Sequence, residues 1–298
     1  MSEKVLMKGN EAIAEAAILA GCRHYFGYPI TPQTEIAAYM AKKMPKIGGV
    51  FLQAESEIAA INMVYGVSSA GKRVMTSSSS PGISLKGEGI SYLAGADLPA
   101  LVVNVQRGGP GLGGIQPSQS DYFQATKGGG HGDFHMIVLA PASVQEMAEL
   151  TVKGFELADK YRVTSMIMAD GTMGQMMEPV ELDFKVAPPP EKPWATTGTK
   201  MSRPHNIVNS LSLVPEELEQ FNFERFERYK AIEQNEAMYE EYMMDDADIC
   251  LVAFGIAARV SKNAVNEARK QGIKVGLIRP ITLWPFPVAP FEKAAERV

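Results

Sequence analysis

Short apolar runs and helical patterns alternate along the first 180 residues of the chain. The apolar runs, which are typical of buried strands, lie at residues 22–28, 49–53, 72–76, 98–106, 136–140 and 163–169. Stretches with apolar residues at helical spacing lie between them, at residues 10–20, 33–43, 54–69, 83–93 and 143–161. Strands that alternate with helices predict a parallel sheet covered on both faces. Right-handed crossovers make this α/β sheet doubly wound.

Polar residues at the predicted helix starts indicate how the helices begin. Asn10 is predicted to cap the first helix, and Ser143 with Glu146 has the spacing of a capping box. Glu55 and Glu57 are both placed in the first turn of the helix over residues 54–69, where the helix dipole favours acidic side chains.

The pattern changes after residue 180. Residues 188–209 are rich in proline and polar side chains, which predicts an extended linker, and residues 215–244 predict a charged helix with aromatic positions. From residue 249 a second α/β pattern begins, with two predicted strands and two predicted helices. We therefore expect a first domain at residues 1–180, a linker and charged helix at 181–247, and the start of a second domain at 248–298. Because two strands leave a sheet edge uncovered, a truncated second domain, or one completed by another chain, is expected.

Composition narrows the class of protein. With 298 residues, of which 46% are hydrophobic and 21% charged, the chain is typical of globular α/β enzymes. A net charge of −5 gives no basic surface for nucleic acid. No apolar run reaches the roughly 18–20 residues of a membrane span, and the chain start lacks a signal peptide, so we expect a cytoplasmic protein without a membrane partner.

The cysteines and histidines give no metal site. Cys22 and Cys250 are two isolated residues, fewer than a structural zinc site or an iron–sulfur cluster requires, and they are expected to be buried reduced thiols. His131 and His135 are four residues apart in a segment that is not helical, so structural roles are favoured over a metal pair. The Gly109–Gly114 stretch has the spacing G-x-G-x-x-G, but Pro110 interrupts it and no amphipathic helix follows, so it is not read as a dinucleotide site.

Candidate chemistry lies where predicted strands end. Thr31 lies in a turn stiffened by two prolines, Glu55 follows the second strand, and Arg107 follows an apolar strand. Together they would suit a small anionic substrate beside a cofactor that needs a carboxylate contact. Purely structural roles remain open for two of these residues. Thr31 could cap the following helix, and Arg107 could form an internal ion pair. The four serines at 77–80 predict a polar loop that faces either solvent or a ligand.

Several motifs, in order through nearly the whole chain, resemble one family. They are Gly27-Tyr-Pro-Ile-Thr-Pro, Gln53-Ala-Glu-Ser-Glu-Ile-Ala-Ala, Ser80-Pro-Gly-Ile-Ser-Leu, Asn104-Val-Gln-Arg-Gly-Gly-Pro and Trp284-Pro-Phe-Pro. This conjunction resembles the alpha subunit of thiamine-diphosphate-dependent 2-oxoacid:ferredoxin oxidoreductases. The segments 109–124 and 128–133 are most similar to members that act on branched-chain 2-oxoacids such as 2-oxoisovalerate. The resemblance implies a pyrimidine-binding domain followed by part of a transketolase-C-terminal-like domain.

The resemblance also implies roles for individual residues. Glu55 matches the acid that contacts N1′ of the cofactor's aminopyrimidine, and Glu57, two residues on, is its rival. Thr31 and Arg107 match the positions that hold the substrate carboxylate, to which Arg can donate with its planar fork. Ser79 and Ser80 are predicted as further cofactor contacts.

Missing motifs imply partner chains. The chain has no Gly-Asp-Gly sequence followed by Asn at the spacing that holds Mg²⁺ and the diphosphate, and no cysteine cluster for electron transfer. The resemblance therefore implies a beta subunit with the diphosphate and Mg²⁺, iron–sulfur and gamma subunits, coenzyme A as co-substrate and ferredoxin as electron acceptor. A non-oxidative thiamine-dependent decarboxylase or transketolase-like subunit, and a non-catalytic scaffold, are the alternative functions.

Overall fold

The computed structural model describes residues 4–127 and 129–298. Gly128 of the 128–133 motif, and residues 1–3 at the chain start, lie outside the described residues. The strands are β1 Lys4–Lys8, β2 His24–Gly27, β3 Val50–Gln53, β4 Val74–Ser78, β5 Leu101–Gln106, β6 Ile137–Leu139, β7 Ser165–Asp170, β8 Met177–Glu181, β9 Tyr239–Tyr242, β10 Ile249–Val252, β11 Val275–Pro280 and β12 Thr282–Trp284. The α-helices are α1 Gly9–Leu19, α2 Thr34–Lys43, α3 Glu57–Ser69, α4 Ser80–Gly95, α5 Tyr122–Thr126, α6 Val144–Tyr161, α7 Gly171–Gln175, α8 Pro215–Asn235, α9 Gly255–Lys270 and α10 Val288–Ala295.

A seven-stranded sheet forms the centre of the protein. Its order is β12-β6-β7-β5-β4-β2-β3, and its neighbouring strands are parallel except for β12, which pairs antiparallel with β6. Strands β4, β5 and β7 are buried along their whole length, as expected for strands covered on both faces. The predicted doubly wound parallel sheet is therefore confirmed.

The last third of the chain departs from the sequence prediction. Helix α8 ends at Asn235 rather than near residue 244, and residues 239–242 form β9 instead. Strand β9 pairs antiparallel with β11, whose other side pairs with β10, so the second sheet has three strands rather than the two predicted. The short strand β12 leaves this segment altogether and joins the central sheet. Tyr-Glu-Glu-Tyr has both a helical and an extended pattern, and tertiary pairing decides between them.

Two helix starts also differ from the prediction. Asn10 lies inside α1, whose N-cap is Lys8, and its side chain donates instead to Pro32 O and to Glu35 Oε2, both at 2.8 Å. Helix α3 begins at Glu57 and is capped by Ser56, whose hydroxyl accepts from Ala59 N at 3.1 Å, so Glu55 precedes the helix. The cap at Ser143 is confirmed, since its hydroxyl accepts from Glu146 N at 3.1 Å.

Other expectations about composition can be compared with the structure. Cys22 and Cys250 are both free thiols, but Cys250 is only half-buried. Burial raises the pKa of the Cys22 thiol to about 12, so it stays protonated at neutral pH. In the described part of the chain, no helix has the length and apolar character needed to cross a membrane.

A buried ion pair anchors β4 to α6. Arg73 Nε lies 2.7 Å from Asp159 Oδ2, and both side chains are almost inaccessible, at 2% and 3% exposure. Removing one partner of such a pair leaves a charge that water cannot solvate, which costs about 3–5 kcal/mol. Loss of either partner alone is therefore expected to destabilise the first domain strongly.

We predict that Asp159→Asn lowers the free energy of unfolding by about 3–5 kcal/mol, measured by urea denaturation. Glu267→Gln is the matched control, because its pair with Lys270 has both side chains about two-thirds exposed and should contribute nothing measurable. Equal losses in the two variants would show that burial does not decide the effect.

Candidate active site

The order of the central sheet brings three chain segments together at the carboxyl ends of its strands. Strand β4 pairs with both β2 and β5, so the residues that follow these three strands lie side by side. They are the turn that contains Thr31, Ser79 and Ser80, and Arg107, and Ser77 and Ser78 form the end of β4 beside them. Open α/β sheets bind their ligands at the carboxyl ends of their strands.

Arg107 is the best defined of these residues. Its side chain is 7% exposed and donates from Nη1 to Thr31 O at 3.1 Å and from Nη2 to Leu112 O at 2.9 Å. Its Nε has no hydrogen-bond partner in the described part of the chain. Among residues 4–127 and 129–298, no acidic group lies within ion-pair distance of the guanidinium. The internal ion pair considered for Arg107 from the sequence is therefore absent, and the guanidinium remains available to an anionic ligand.

The structure brings Arg107 and Thr31 into contact, as predicted from the sequence. The contact runs through the backbone carbonyl of Thr31, and the Thr31 side chain itself is exposed. Asn10 also holds this turn, because its side-chain amide donates a hydrogen bond to the Pro32 carbonyl. The turn is thus fixed by two side chains from distant parts of the chain.

Ser80 holds the Arg107 backbone in place. Its hydroxyl donates to Asp121 Oδ2 at 2.6 Å and accepts from Arg107 N at 3.0 Å, and its own N–H donates to Asn104 Oδ1 at 3.1 Å. Asn104 in turn donates to Asp121 Oδ2 at 2.9 Å. Because both functions of the Ser80 hydroxyl are already used, the geometry favours a positioning role over the direct cofactor contact predicted for it.

The remaining serines are buried rather than in an exposed loop. Ser77 lies between Tyr25 Oη, at 2.6 Å, and Gln33 Oε1, at 2.5 Å, in a continuous hydrogen-bonded chain. Burial raises the pKa of the Tyr25 phenol, which keeps it protonated as a donor. Ser78 and Ser79 have fully buried hydroxyls that no other described residue bonds. Such groups normally have partners, so they mark places where a ligand could bond.

The two candidate glutamates have different environments. Glu55 follows the edge strand β3 and is exposed to solvent. Glu57 opens α3 and is 6% exposed. Burying a carboxylate without a partner costs several kcal/mol, so such a residue is expected to serve a ligand or a nearby charge.

Gly82 shows how closely the polar groups approach α4. A Cβ at Gly82 would lie 2.1 Å from Ser78 Oγ and 2.7 Å from Glu57 Oε1, both shorter than real Cβ contacts. The missing side chain therefore leaves room for the Glu57 carboxylate beside the Ser78 hydroxyl. Glycine at this position is required by packing rather than by an unusual backbone angle.

A cavity of about 660 Å³ adjoins this group of residues. Its wall contains Thr31, whose carbonyl accepts from Arg107, and it is mixed in character. The polar lining residues besides Thr31 are Thr34, Glu35, Thr172 and Gln175. The apolar lining residues are Pro32, Ile115, Pro117 and Met176. The arrangement can hold an anionic group at Arg107 and an aliphatic group in the cavity.

Sequence reasoning missed several residues of the site. Asn104 and Asp121 hold Ser80, Gln33 completes the chain from Tyr25, and Lys86 is a fully buried lysine on α4. Asn104 could have been found, because a polar residue inside the apolar strand β5 must have a partner. Lys86 could have been found from its helical spacing with Gly82 and Gly89, which places it on the packed face of α4.

The histidines have structural surroundings. His135 stacks on Trp284 with ring centroids 4.6 Å apart, and His131 Nδ1 lies 3.3 Å from Ser91 Oγ. Burial lowers the pKa of His135, so it is neutral at pH 7. Among the described residues, no group of three or more His, Cys, Asp or Glu side chains could hold a metal ion.

Two family profiles together match residues 15–241 and 247–298. The first is described as "Pyruvate flavodoxin/ferredoxin oxidoreductase, thiamine diP-bdg" and the second as "Pyruvate:ferredoxin oxidoreductase core domain II". The ketoisovalerate oxidoreductase subunit VorB of Methanothermobacter marburgensis is 56% identical over 292 residues, which cover 98% of this chain and 83% of that protein. The 2-oxoglutarate synthase subunit KorA of Methanothermobacter thermautotrophicus is 37% identical, with 100% and 86% covered.

A solved structure has the same fold over almost the whole chain. It is the 2-oxoglutarate:ferredoxin oxidoreductase from Magnetococcus marinus with 2-oxoglutarate, coenzyme A and succinyl-CoA bound. The TM-score is 0.90 at 31% identity, and the match covers 99% of this chain and 57% of that one. The present chain therefore spans little more than half of the length of that structure's chain.

We predict that Gly82→Ala displaces the Glu57 carboxylate and lowers the free energy of unfolding by about 1–3 kcal/mol, because the new methyl group overpacks the space between α3 and β4. Thermal denaturation measures the loss. Gly66→Ala is the matched control: Gly66 lies inside α3 with open space around its Cβ position, and alanine there should stabilise the helix by about 0.5–1 kcal/mol. A Gly82→Ala protein as stable as the wild type would contradict the close approach.

Proposed function

Because this chain belongs to the pyruvate flavodoxin/ferredoxin oxidoreductase family, we propose that it is the alpha subunit of an enzyme that oxidatively decarboxylates a branched-chain 2-oxoacid. The products are the acyl-coenzyme A and CO₂, and two electrons pass to ferredoxin. The resemblance inferred from the sequence motifs is confirmed by the family match and by the relatives. The single observation that carries the proposal is the buried Arg107 guanidinium, which has carbonyl partners but no acidic partner.

The residues at the carboxyl ends of the central strands fit the pyrimidine side of thiamine diphosphate. The unbonded hydroxyls of Ser78 and Ser79, the buried carboxylate of Glu57 and the space left by Gly82 are the features that suit it. When bound, the cofactor supplies the carbon nucleophile and the electron sink for decarboxylation. The residues of this chain bind it, orient it and hold its proton.

A glutamate of this chain is proposed to share a proton with N1′ of the pyrimidine ring. The sequence resemblance favoured Glu55, which stays a prediction, whereas the geometry favours its rival Glu57. Glu57 is buried beside Ser78 Oγ, where water does not compete for the carboxylate, and Glu55 is exposed. A carboxyl group at this position can hold a proton that an amide cannot.

Arg107 and the turn of Thr31 are proposed to bind the substrate carboxylate. A guanidinium held at its Nη atoms by two carbonyls, with Nε free, can donate a charge-assisted hydrogen bond to a carboxylate. The neighbouring cavity has Ile115, Pro117 and Met176 in its wall, which suit a branched aliphatic chain, and the Glu35 carboxylate in the same wall would repel a second carboxylate. This supports a 2-oxoisovalerate-like substrate over 2-oxoglutarate.

The rest of the reaction is proposed to take place with partner chains. A beta subunit would bind the diphosphate and Mg²⁺, and iron–sulfur and gamma subunits would carry electrons to ferredoxin. We also propose the division of this chain into residues 1–180, 181–247 and 248–298, which the boundary between the two matched profiles supports near residue 247. Reduction of ferredoxin by the assembled enzyme with 3-methyl-2-oxobutanoate and coenzyme A tests the whole proposal. Decarboxylation without ferredoxin reduction would indicate a non-oxidative enzyme instead.

We predict that Glu57→Gln lowers turnover of the assembled enzyme by a factor on the order of 10²–10⁴, because the amide cannot share the proton at N1′. Glu55→Gln is the paired variant in the same turn, and it should lower turnover far less, because the Glu55 carboxylate is exposed in this chain and is not held beside Ser78. The measurement is kcat with saturating 2-oxoacid and coenzyme A. A severe loss in Glu55→Gln with a mild one in Glu57→Gln would restore Glu55 as the proton-sharing acid.

We predict that Arg107→Met raises KM for the 2-oxoacid by roughly 30- to several-thousand-fold, equivalent to about 2–5 kcal/mol, because a buried charge partner is removed. Methionine keeps the length and the apolar contacts of the side chain. The free energy of unfolding should fall by only about 1–3 kcal/mol, for the lost hydrogen bonds to the Thr31 and Leu112 carbonyls, since no internal carboxylate is left unpaired. Arg297→Met, at an exposed position, is the control. An unchanged KM would remove Arg107 from the substrate site.

A further inference from the structure

Lys86 is a buried cation without a hydrogen-bond partner. It is 0% exposed and is one of the largest fully buried side chains in the protein. Its Nζ makes no hydrogen bond to any other residue within 4–127 and 129–298. An ammonium in this position loses its hydration, so a nearby opposite charge is needed to offset the cost.

The position of Lys86 on α4 shows which charge can do so. Lys86 lies four residues after Gly82 and three before Gly89, so the three residues share one face of the helix. A Cβ at Gly82 would meet Glu57 Oε1, and a Cβ at Gly89 would lie 2.3 Å from Ile61 Cγ2. Glu57 and Ile61 are one turn apart on α3. The face of α4 that carries Lys86 is therefore packed against the turn of α3 that carries Glu57.

The electrostatics of Lys86 agree with this placement. Burial lowers the pKa of the Lys86 ammonium to about 8, and the negative charge of Glu57 acts in the opposite direction. At pH 7 the side chain is still mostly protonated. A lysine and a glutamate that are both more than nine-tenths buried thus lie on the packed faces of α4 and α3, where their charges interact although the two groups are not within ion-pair distance.

We propose that Lys86 is a positioning residue: its buried ammonium balances the charge of Glu57 and holds that carboxylate beside Ser78 and Gly82, inside the site. Without this cation, a buried carboxylate lowers its free energy by turning toward solvent or by taking up a proton. Either change removes the acceptor from the cofactor side of α3. The catalytic part of this inference rests on the role proposed above for Glu57, whereas the pairing itself does not.

A double-mutant cycle on the cofactor-free subunit tests the pairing directly. The variants are Lys86→Met, Glu57→Gln and the double variant, and the readout is the melting temperature at pH 7. Glu57→Gln strands a buried ammonium and should lower the melting temperature, and adding Lys86→Met should recover it. We expect the change in melting temperature caused by Lys86→Met to be more positive by at least about 3 °C in the Glu57→Gln background than in the wild-type background. Additive effects would overturn the pairing.

The pH dependence gives a second readout. Because the folded-state pKa of Lys86 lies below its unfolded value, the unfolded chain binds more protons between pH 8 and 10.5, and the burial penalty of Lys86 fades as the pH rises through this window. As the pH rises above 8, the melting temperature of the wild type should therefore increase relative to that of the Glu57→Gln/Lys86→Met double variant. Lys42→Met, at an exposed position on α2, is the matched control and should show no such trend. An identical trend in the two comparisons would overturn the buried charge.

Kinetics of the assembled enzyme then test the positioning role. Lys86→Met should lower kcat by about 10- to 100-fold with little change in KM for the 2-oxoacid, and it should add no further loss to Glu57→Gln. An equal loss of kcat in both backgrounds would overturn the route through Glu57. If Glu57→Gln leaves kcat unchanged while the stability cycle still shows coupling, the pairing stands and the function proposed for Glu57 fails.

Discussion

A guanidinium that is buried without a carboxylate has to be held by other oxygens, and the architecture of the site depends on how Arg107 meets this requirement. The carbonyl oxygens of Thr31 and Leu112 accept hydrogen bonds from its Nη atoms, and the Ser80 hydroxyl accepts one from its backbone N–H. These partners come from the turn after β2, the loop after β5 and the start of α4. The site therefore exists only when β2, β4 and β5 are adjacent, which couples its formation to the order of the central sheet.

Much of this sheet could be predicted from hydrophobic periodicity. Strands buried on both faces, such as β5 and β7, have continuous apolar runs, and the helices between them have clear periods. Short strands at the margins could not be predicted. Strand β12 has three residues, and β9 has a pattern compatible with a helix, so only their pairing partners define them. These partners lie up to 146 residues away along the chain, as between Val138 and Trp284.

The site residues show a similar division. Thr31 and Arg107 follow β2 and β5, which lie on either side of β4, and the long Arg107 side chain reaches the Thr31 carbonyl. The two glutamates differ by two positions: the sequence resemblance favours Glu55, but their burial could not be predicted, since it depends on where α3 begins. Ser56 caps the helix, which leaves Glu55 outside and turns Glu57 inward. An error of two residues in a helix start, small for the fold, separates an exposed acid from a buried one.

The antiparallel strand β12 also has a consequence for synthesis of the chain. Its partner β6 leaves the ribosome 143 residues earlier, since Leu139 pairs with Thr282. At roughly 5–20 residues per second, translation of that interval lasts on the order of 10–30 seconds. Once β7 has been synthesised, at residues 165–170, β6 is the open edge of an otherwise complete parallel sheet for the rest of this time, and unpaired edges are templates for association with other chains.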